Sequence, residues 1–240
     1  MSVLYKIGVD EAGRGPMFGR VYAAAVVLPK AEHSVEPNIG TTVDVDPPKK
    51  RKQTIVGMNS IKDSKKFTSK TKLREVAEYI KQNSIAWAVA YVDEKTIDRV
   101  NILQATQMAM HDAIGQVLEK LEDWNSLNTV LEVDGNYFRA YPDIDHTCFE
   151  GGDASHKNIA AASILAKLAR DDYIDELCIE YPRLAELYGL NKNYGYGTKQ
   201  HMDAMRQYGI TPWHRKSFGL CKNAYIHPEW LNATPPNPNK

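Results

Sequence analysis

The chain alternates apolar runs of strand length with longer stretches in which apolar residues return every third or fourth position. Residues 5–9, 21–28, 85–92 and 130–133 are the apolar runs, short enough for buried strands, the last broken only by Glu132. Between them, Leu73, Val76, Ala77 and Ile80 keep a helical spacing behind a candidate cap at Thr68 or Ser69. Leu103, Met110, Ile114, Val117 and Leu121 do the same after Asn101. Ile164, Leu165, Leu168, Ile174, Leu177 and Cys178 form a third such face. Strands early, alternation next and a mostly helical end predict an α/β sheet with a C-terminal helical part.

Two stretches fall outside this pattern. Residues 30–60 hold Pro37, Pro47, Pro48 and the basic run Lys49-Lys50-Arg51-Lys52 with no sustained period. A connection of that length reads as an inserted functional or disordered loop. The tail 232–240 is rich in Pro and Asn and reads as frayed.

Composition changes this picture little. Of 240 residues, 43% are hydrophobic and 25% charged, as in an ordinary globular protein. Lys+Arg 30 balances Asp+Glu 30, so any grip on nucleic acid must come from local patches. Cys148, Cys178 and Cys221 are too scattered for a disulfide framework or a thiolate zinc site. No apolar run approaches membrane-spanning length, and the first six residues lead into a strand with no signal-peptide pattern. The expectation is a soluble intracellular protein, cytoplasmic, without a membrane partner.

The candidate chemistry is concentrated in Gly8-Val9-Asp10-Glu11-Ala12-Gly13-Arg14-Gly15-Pro16. Two adjacent carboxylates close the first strand and a glycine turn follows. Like charges about 4 Å apart repel by roughly 4 kcal/mol at an effective dielectric near 20, a cost that a divalent cation relieves. Asp134, followed by Gly135, ends another apolar strand, and Asp153 stands just before a small-residue helix. Neighbouring strands that end at one sheet edge would gather Asp10, Glu11, Asp134 and Asp153. Four acids without histidine suit Mg²⁺ or Mn²⁺ rather than zinc. Two such ions about 3.5–4 Å apart can activate a water and stabilise a leaving phosphodiester oxygen.

The string Asp10 to Pro16 resembles the signature of the type 2 ribonucleases H. Gly152-Asp153-Ala154 followed by residues 160–171 is similar to that family's second long motif, and Lys62-Asp63-Ser64-Lys65-Lys66 to its short basic element. Residues 194–201 and 211–218 resemble the bacterial branch. The Gly13-Arg14-Gly15 order favours type 2 over type 3, which carries Gly-Thr-Gly there and an extra N-terminal domain.

The resemblance implies a ribonuclease H-like fold, a mixed β-sheet flanked by helices with a C-terminal helical segment. Residues 1–222 would be the catalytic domain, 30–60 an insertion and 223–240 an extension. It implies an endonuclease that hydrolyses the RNA strand of RNA–DNA hybrids and cuts 5′ of ribonucleotides in duplex DNA, leaving 3′-hydroxyl and 5′-phosphate ends. Asp10, Glu11, Asp134 and Asp153 would hold the metals. Gly13, Arg14 and Gly15 would read the 2′-hydroxyl, the only group that separates RNA from DNA at a fixed site. Tyr196 would stack at the RNA–DNA junction. Lys65, Lys157, His214 and Arg215 are further candidates for substrate contact. The family's basic residue before Gly-Asp is Gly151 here, a departure for which Lys157 would compensate. No obligatory protein subunit is implied, and a monomer is expected.

Each reading has a plainer rival. Asp171 and Asp172 read as ion-paired helix residues rather than ligands, and His214 as either a phosphate contact or a turn histidine bonded to backbone. Lys62, Lys65, Lys66, Lys70, Lys72 and Arg74 read alone as a solvated basic run, and the resemblance favours phosphate contacts. Trp87 and Trp124 read as packing residues. Residues 47–52 are of the kind read as a nuclear-import signal, a nonspecific DNA-binding arm or a solvated loop. Two functional alternatives remain open: a DNA nuclease on the same fold, and an inactive hybrid-binding protein.

Overall fold

The computed structural model describes residues 5–29, 56–231 and 233; the basic run 49–52 and most of the 30–60 stretch lie outside them. Strands β1 (Tyr5–Ala12), β2 (Val21–Val27), β3 (Ala86–Val92), β4 (Thr129–Asp134) and β5 (Asp145–Phe149) form one sheet in the order β3-β2-β1-β4-β5. β1, β2 and β3 pair antiparallel, while β1, β4 and β5 run parallel. The sheet is mixed, as expected, and β5 is a fifth strand that the apolar pattern did not announce.

Alternation along β1 sends Ile7 and Val9 to one face, where they pack with Val21, Ala23 and Ala25 of β2. That face is covered by α3 (Ile102–Leu118), whose buried stripe includes Ala109, Met110, Ile114 and Val117. The Asn101 side chain caps it by accepting from the Gln104 N–H. The other face carries Ala24 and Val26 against α1 (Lys70–Asn83) and the long α4 (Lys157–Glu180). Ser69 caps α1, accepting from the Lys72 N–H.

β1 and α4 touch closely at Gly8, where a Cβ would fall 2.1 Å from the Asn158 carbonyl carbon. Only glycine allows that approach. A third cluster closes the C-terminal part: Phe18, Tyr22, Tyr173, Ile174 and Leu177 pack with Tyr188, Met205 and Trp213. It holds α5 (Pro182–Tyr188), α6 (Leu190–Asn193) and α7 (Lys199–Tyr208) against the end of the sheet. α2 (Glu94–Val100) links β3 to α3. Among the described residues, no helix is long and apolar enough to cross a membrane.

Two packing expectations resolve differently. Trp87 is half-buried, with Lys81 and Lys120 ammonium groups 5.6 and 5.4 Å from its ring centroid. Trp124 is 39% exposed in the turn after α3, so it is not a core residue.

Candidate active site

Parallel pairing sets Val9 opposite Val133, which brings Asp10 and Asp134 out of the sheet side by side at the carboxyl ends of β1 and β4. Glu11 follows on β1. The chain leaving β5 turns through Gly151, at φ 67°, into a short 3-10 turn (Gly152–Ala154) that carries Asp153 to the head of α4. The Gly152 N–H donates to Asp134 Oδ1 at 2.7 Å, which joins the two loops. Asp10, Glu11 and Asp134 line one cleft of about 580 Å³, and Asp153 lies beside it beneath Lys65.

The electrostatics are those of crowded, buried carboxylates. Asp10 is 4% exposed. Burial, then repulsion from Glu11 and Asp134, holds its carboxyl well above the usual range; a hydrogen bond with Ser163 opposes the shift. Glu11 and Asp153 are raised by burial too, countered by Arg14 and Lys65 respectively. Arg14 sits 3.3 Å from Glu11 and Lys65 3.4 Å from Asp153. Two flexible cations thus offset part of a buried negative cluster. Among the described residues no three His, Cys, Asp or Glu side chains stand ready-gathered around an ion position. The donor set nonetheless fits a hard divalent cation: all oxygen, partly buried, and destabilised by its own charge.

The rim of the cleft is basic and aromatic. Gly13, Arg14, Gly15, Lys65, Arg170, Lys192, Tyr194 and Tyr196 line it. Tyr196 is 53% exposed, and a Cβ on Gly15 would lie 3.6 Å from its ring. The glycine turn and the exposed tyrosine are therefore neighbours, although 181 positions separate Gly15 from Tyr196. Gly13 has φ +97°, and a Cβ there would meet Arg170 Nε at 2.4 Å.

Two suggested substrate contacts are corrected. His214 is 1% exposed, with Nδ1 accepting from the Thr211 N–H at 3.0 Å, so the turn-histidine reading holds. Arg215 is 0% exposed and donates to five backbone carbonyls, which leaves it no donor for a phosphate. Lys157 is exposed and donates to the Ile61 carbonyl at 2.6 Å, outside the lining of the cleft. The basic cluster also divides. Lys70 and Arg74 pair with Asp172, and Lys70 also with Asp175, so these two brace α1 against α4. Lys65 alone of the six lines the cleft.

Asp171 is buried and paired with Lys167 at 3.0 Å, as an ion-paired helix residue should be. Sequence reasoning did not single out Arg170, Ser64 or Ser163. Arg170 is 3% exposed, donates to the Tyr194 carbonyl at 2.6 Å and keeps its Nε without a partner. Ser64 and Ser163 share a hydrogen bond of 3.0 Å behind Asp10. Only their places inside longer motifs pointed to them.

An acidic floor at the carboxyl edge of a mixed α/β sheet, beneath a basic and aromatic rim, defines a nuclease of the ribonuclease H-like class. The sequence model of the ribonuclease HII family matches residues 7–221, and the chain belongs to that family. It is accordingly a hydrolase that cleaves RNA in RNA–DNA hybrids. Ribonuclease HII of Bacteroides thetaiotaomicron is 42% identical over 226 residues, covering 93% of this chain and 94% of that one.

Solved structures share the fold. The ribonuclease HII in the PCNA complex from Archaeoglobus fulgidus has TM-score 0.60 at 19% identity, covering 90% of this chain and 96% of that one. Bst-RNase HIII in complex with Mn²⁺ has TM-score 0.58 at 15% identity, covering 86% and 70%. The family is divalent-metal dependent.

Proposed function

We propose that Asp10, Glu11, Asp134 and Asp153 hold the metal, Mg²⁺ or Mn²⁺, and that the enzyme cuts on the 5′ side of a ribonucleotide. The carrying observation is that three of these acids share a cleft with the glycine turn and Tyr196. Two bound ions would supply an activated water and a stabilised leaving oxygen.

The chain's own residues do the rest. The carboxylates would hold the ions at the edge of β1 and β4, and Arg14, Lys65 and Lys192 on the rim favour the phosphodiester backbone. Backbone groups of the Gly13-Arg14-Gly15 turn read the 2′-hydroxyl without regard to the base. Tyr196 presents its ring to the adjoining deoxyribose. Both contacts are local, so one ribonucleotide in a DNA duplex suffices as substrate.

Residues 1–222 act as the catalytic domain and function without an obligatory subunit, as a monomer in the cytoplasm. Lys65 and Arg14 give up their acidic partners when metal and substrate arrive. Asp134→Asn keeps the side-chain shape and the Oδ1 acceptor while removing a ligand charge. Cleavage of a labelled RNA–DNA hybrid should fall by at least ~10²-fold, and turnover at the wild-type rate would remove Asp134 from the ligand set.

A further inference from the structure

The residues that hold the two halves of the junction-reading rim together are buried beneath it and adjacent in sequence. Arg215 is fully buried, and its guanidinium has five N–H groups. All five are used: Nε donates to the Gly19 carbonyl at 2.8 Å, Nη1 to Arg14 and Pro16 at 3.1 and 2.8 Å, and Nη2 to Gly13 and Arg20 at 2.6 and 3.1 Å. One side chain thus draws the carbonyls of the whole 13–20 segment inward. Its lack of a carboxylate partner follows from this geometry, because carbonyl dipoles supply the compensation.

His214 serves the other half. Its Nδ1 accepts from the Thr211 N–H, so in the neutral ring Nε2 carries the proton. That Nε2 lies 3.0 Å from His201 Nε2, which must then accept. His201 is left with its proton on Nδ1, 3.0 Å from the Tyr196 carbonyl. The chain of bonds is single-valued: Thr211 to His214, His214 to His201, His201 to the backbone of Tyr196. Both rings are buried, and burial holds both in the neutral form that this relay needs. The halves also meet directly, since the Met17 N–H donates to the Gly195 carbonyl and the Arg215 N–H to the Met17 carbonyl, both at 2.9 Å.

We propose that His214 and Arg215, acting with His201, set the spacing between the Gly13-Arg14-Gly15 turn and Tyr196, and so are positioning residues for recognition of the RNA–DNA junction. The inference rests on the reading of that turn and Tyr196 given above. None of the three touches the nucleic acid. Their effect falls on discrimination between substrates, because the four acids hang from β1, β4 and the turn before α4.

The test compares kcat/KM on a duplex bearing one ribonucleotide with kcat/KM on an all-RNA/DNA hybrid. The variants are His201→Gln, Arg215→Lys, Tyr196→Ala and the double variant His201→Gln/Tyr196→Ala. Gln places its amide near the imidazole Nε2 and gives up the Nδ1 donor to Tyr196. Lys keeps the charge but has three donors for five carbonyls. Each single variant should lower the single-ribonucleotide to hybrid ratio by roughly 5-fold or more, the lower edge of a lost stacking contact.

Adding His201→Gln to Tyr196→Ala should lower the ratio no further, because the histidine acts through the tyrosine. Nitrogen chemical shifts of the wild type should show His214 protonated on Nε2 and His201 on Nδ1. If Arg215→Lys does not fold, the histidine variants and the tautomers decide the matter. A ratio moved by Tyr196→Ala but by neither positioning variant, or the opposite tautomer on His201, overturns the inference alone. A ratio untouched by Tyr196→Ala overturns the junction reading and the inference with it.

Discussion

Asp10→Asn offers a test of the acidic cluster that needs no substrate. Asp10 is nearly buried beside Glu11 and Asp134, and its carboxyl is held well above the ordinary range first by burial and then by those two neighbours. Two like charges about 5 Å apart repel by roughly 3 kcal/mol at an effective dielectric near 20. Arg14 and Lys65 offset part of that for the cluster as a whole, so the relief expected from asparagine is about 1–2 kcal/mol. The amide keeps the volume of the acid and can still pair with Ser163.

In EDTA at neutral pH, Asp10→Asn should therefore unfold at higher urea than wild type. Divalent metal reverses the order. A ligand at a hundred times its Kd stabilises the native state by about 2.7 kcal/mol, and the variant should gain little of this. Urea unfolding of both proteins, with EDTA and with saturating Mn²⁺, gives the four free energies. A variant less stable than wild type in EDTA, or stabilised equally by Mn²⁺, would refute the reasoning.

The other predictions concern the supporting structure. Glu94 is 6% exposed, accepts from the Tyr173 hydroxyl at 3.1 Å, and is pushed up to about 7, mainly by burial. An acid raised in the folded state costs stability on ionising. The wild type should match Glu94→Gln near pH 4, fall behind as pH rises from about 4.5 to about 7, where only the unfolded carboxyl ionises, and keep a constant deficit of roughly 3 kcal/mol above that; parallel urea midpoints from pH 4 to 8 would contradict it. Gly13→Ala meets both a positive φ and the Arg170 side chain, whereas Gly135→Ala, at φ +98°, meets nothing within 4 Å. Thermal unfolding should show Gly135→Ala losing about 1 kcal/mol and Gly13→Ala clearly more. Gly15→Ala leaves the fold intact and narrows the space beside Tyr196, so hybrid cleavage should show a raised KM with an unchanged Tm.

How much of this was legible in the sequence depended on whether one residue or a pairing carried the information. Asp10 and Glu11 were visible because adjacent acids before a glycine turn have few structural uses. Their gathering with Asp134 was expected from strands ending at one sheet edge, but the parallel register of β1 and β4 that produces it was not, because it is a pairing between distant segments. Edge strand β5 escaped notice since Asp145-His146-Thr147 carries no apolar pattern and the strand hides little from solvent. Ser69 and Asn101 were readable as caps because a cap is a local bond. Arg215 misled for the opposite reason. Polar residues in a turn read as surface groups, whereas five carbonyls nearly two hundred residues earlier saturate the arginine. Lys70 and Arg74 misled similarly, since their acidic partners lie on α4 about a hundred positions away.

In the proposed function the acidic cleft cuts where a ribonucleotide meets DNA. The most direct measurement is cleavage of a DNA duplex carrying one embedded ribonucleotide, in Mg²⁺ or Mn²⁺, with both product ends mapped, for wild type, Asp134→Asn and Tyr196→Ala. The expected result is a single cut on the 5′ side of the ribonucleotide, giving 3′-hydroxyl and 5′-phosphate ends. Asp134→Asn should nearly lose cutting and Tyr196→Ala should fall by roughly 5- to 150-fold, more than that variant falls on an all-RNA/DNA hybrid. Cutting of an all-DNA control at the same rate, or a cut leaving a 2′,3′-cyclic phosphate, would contradict it.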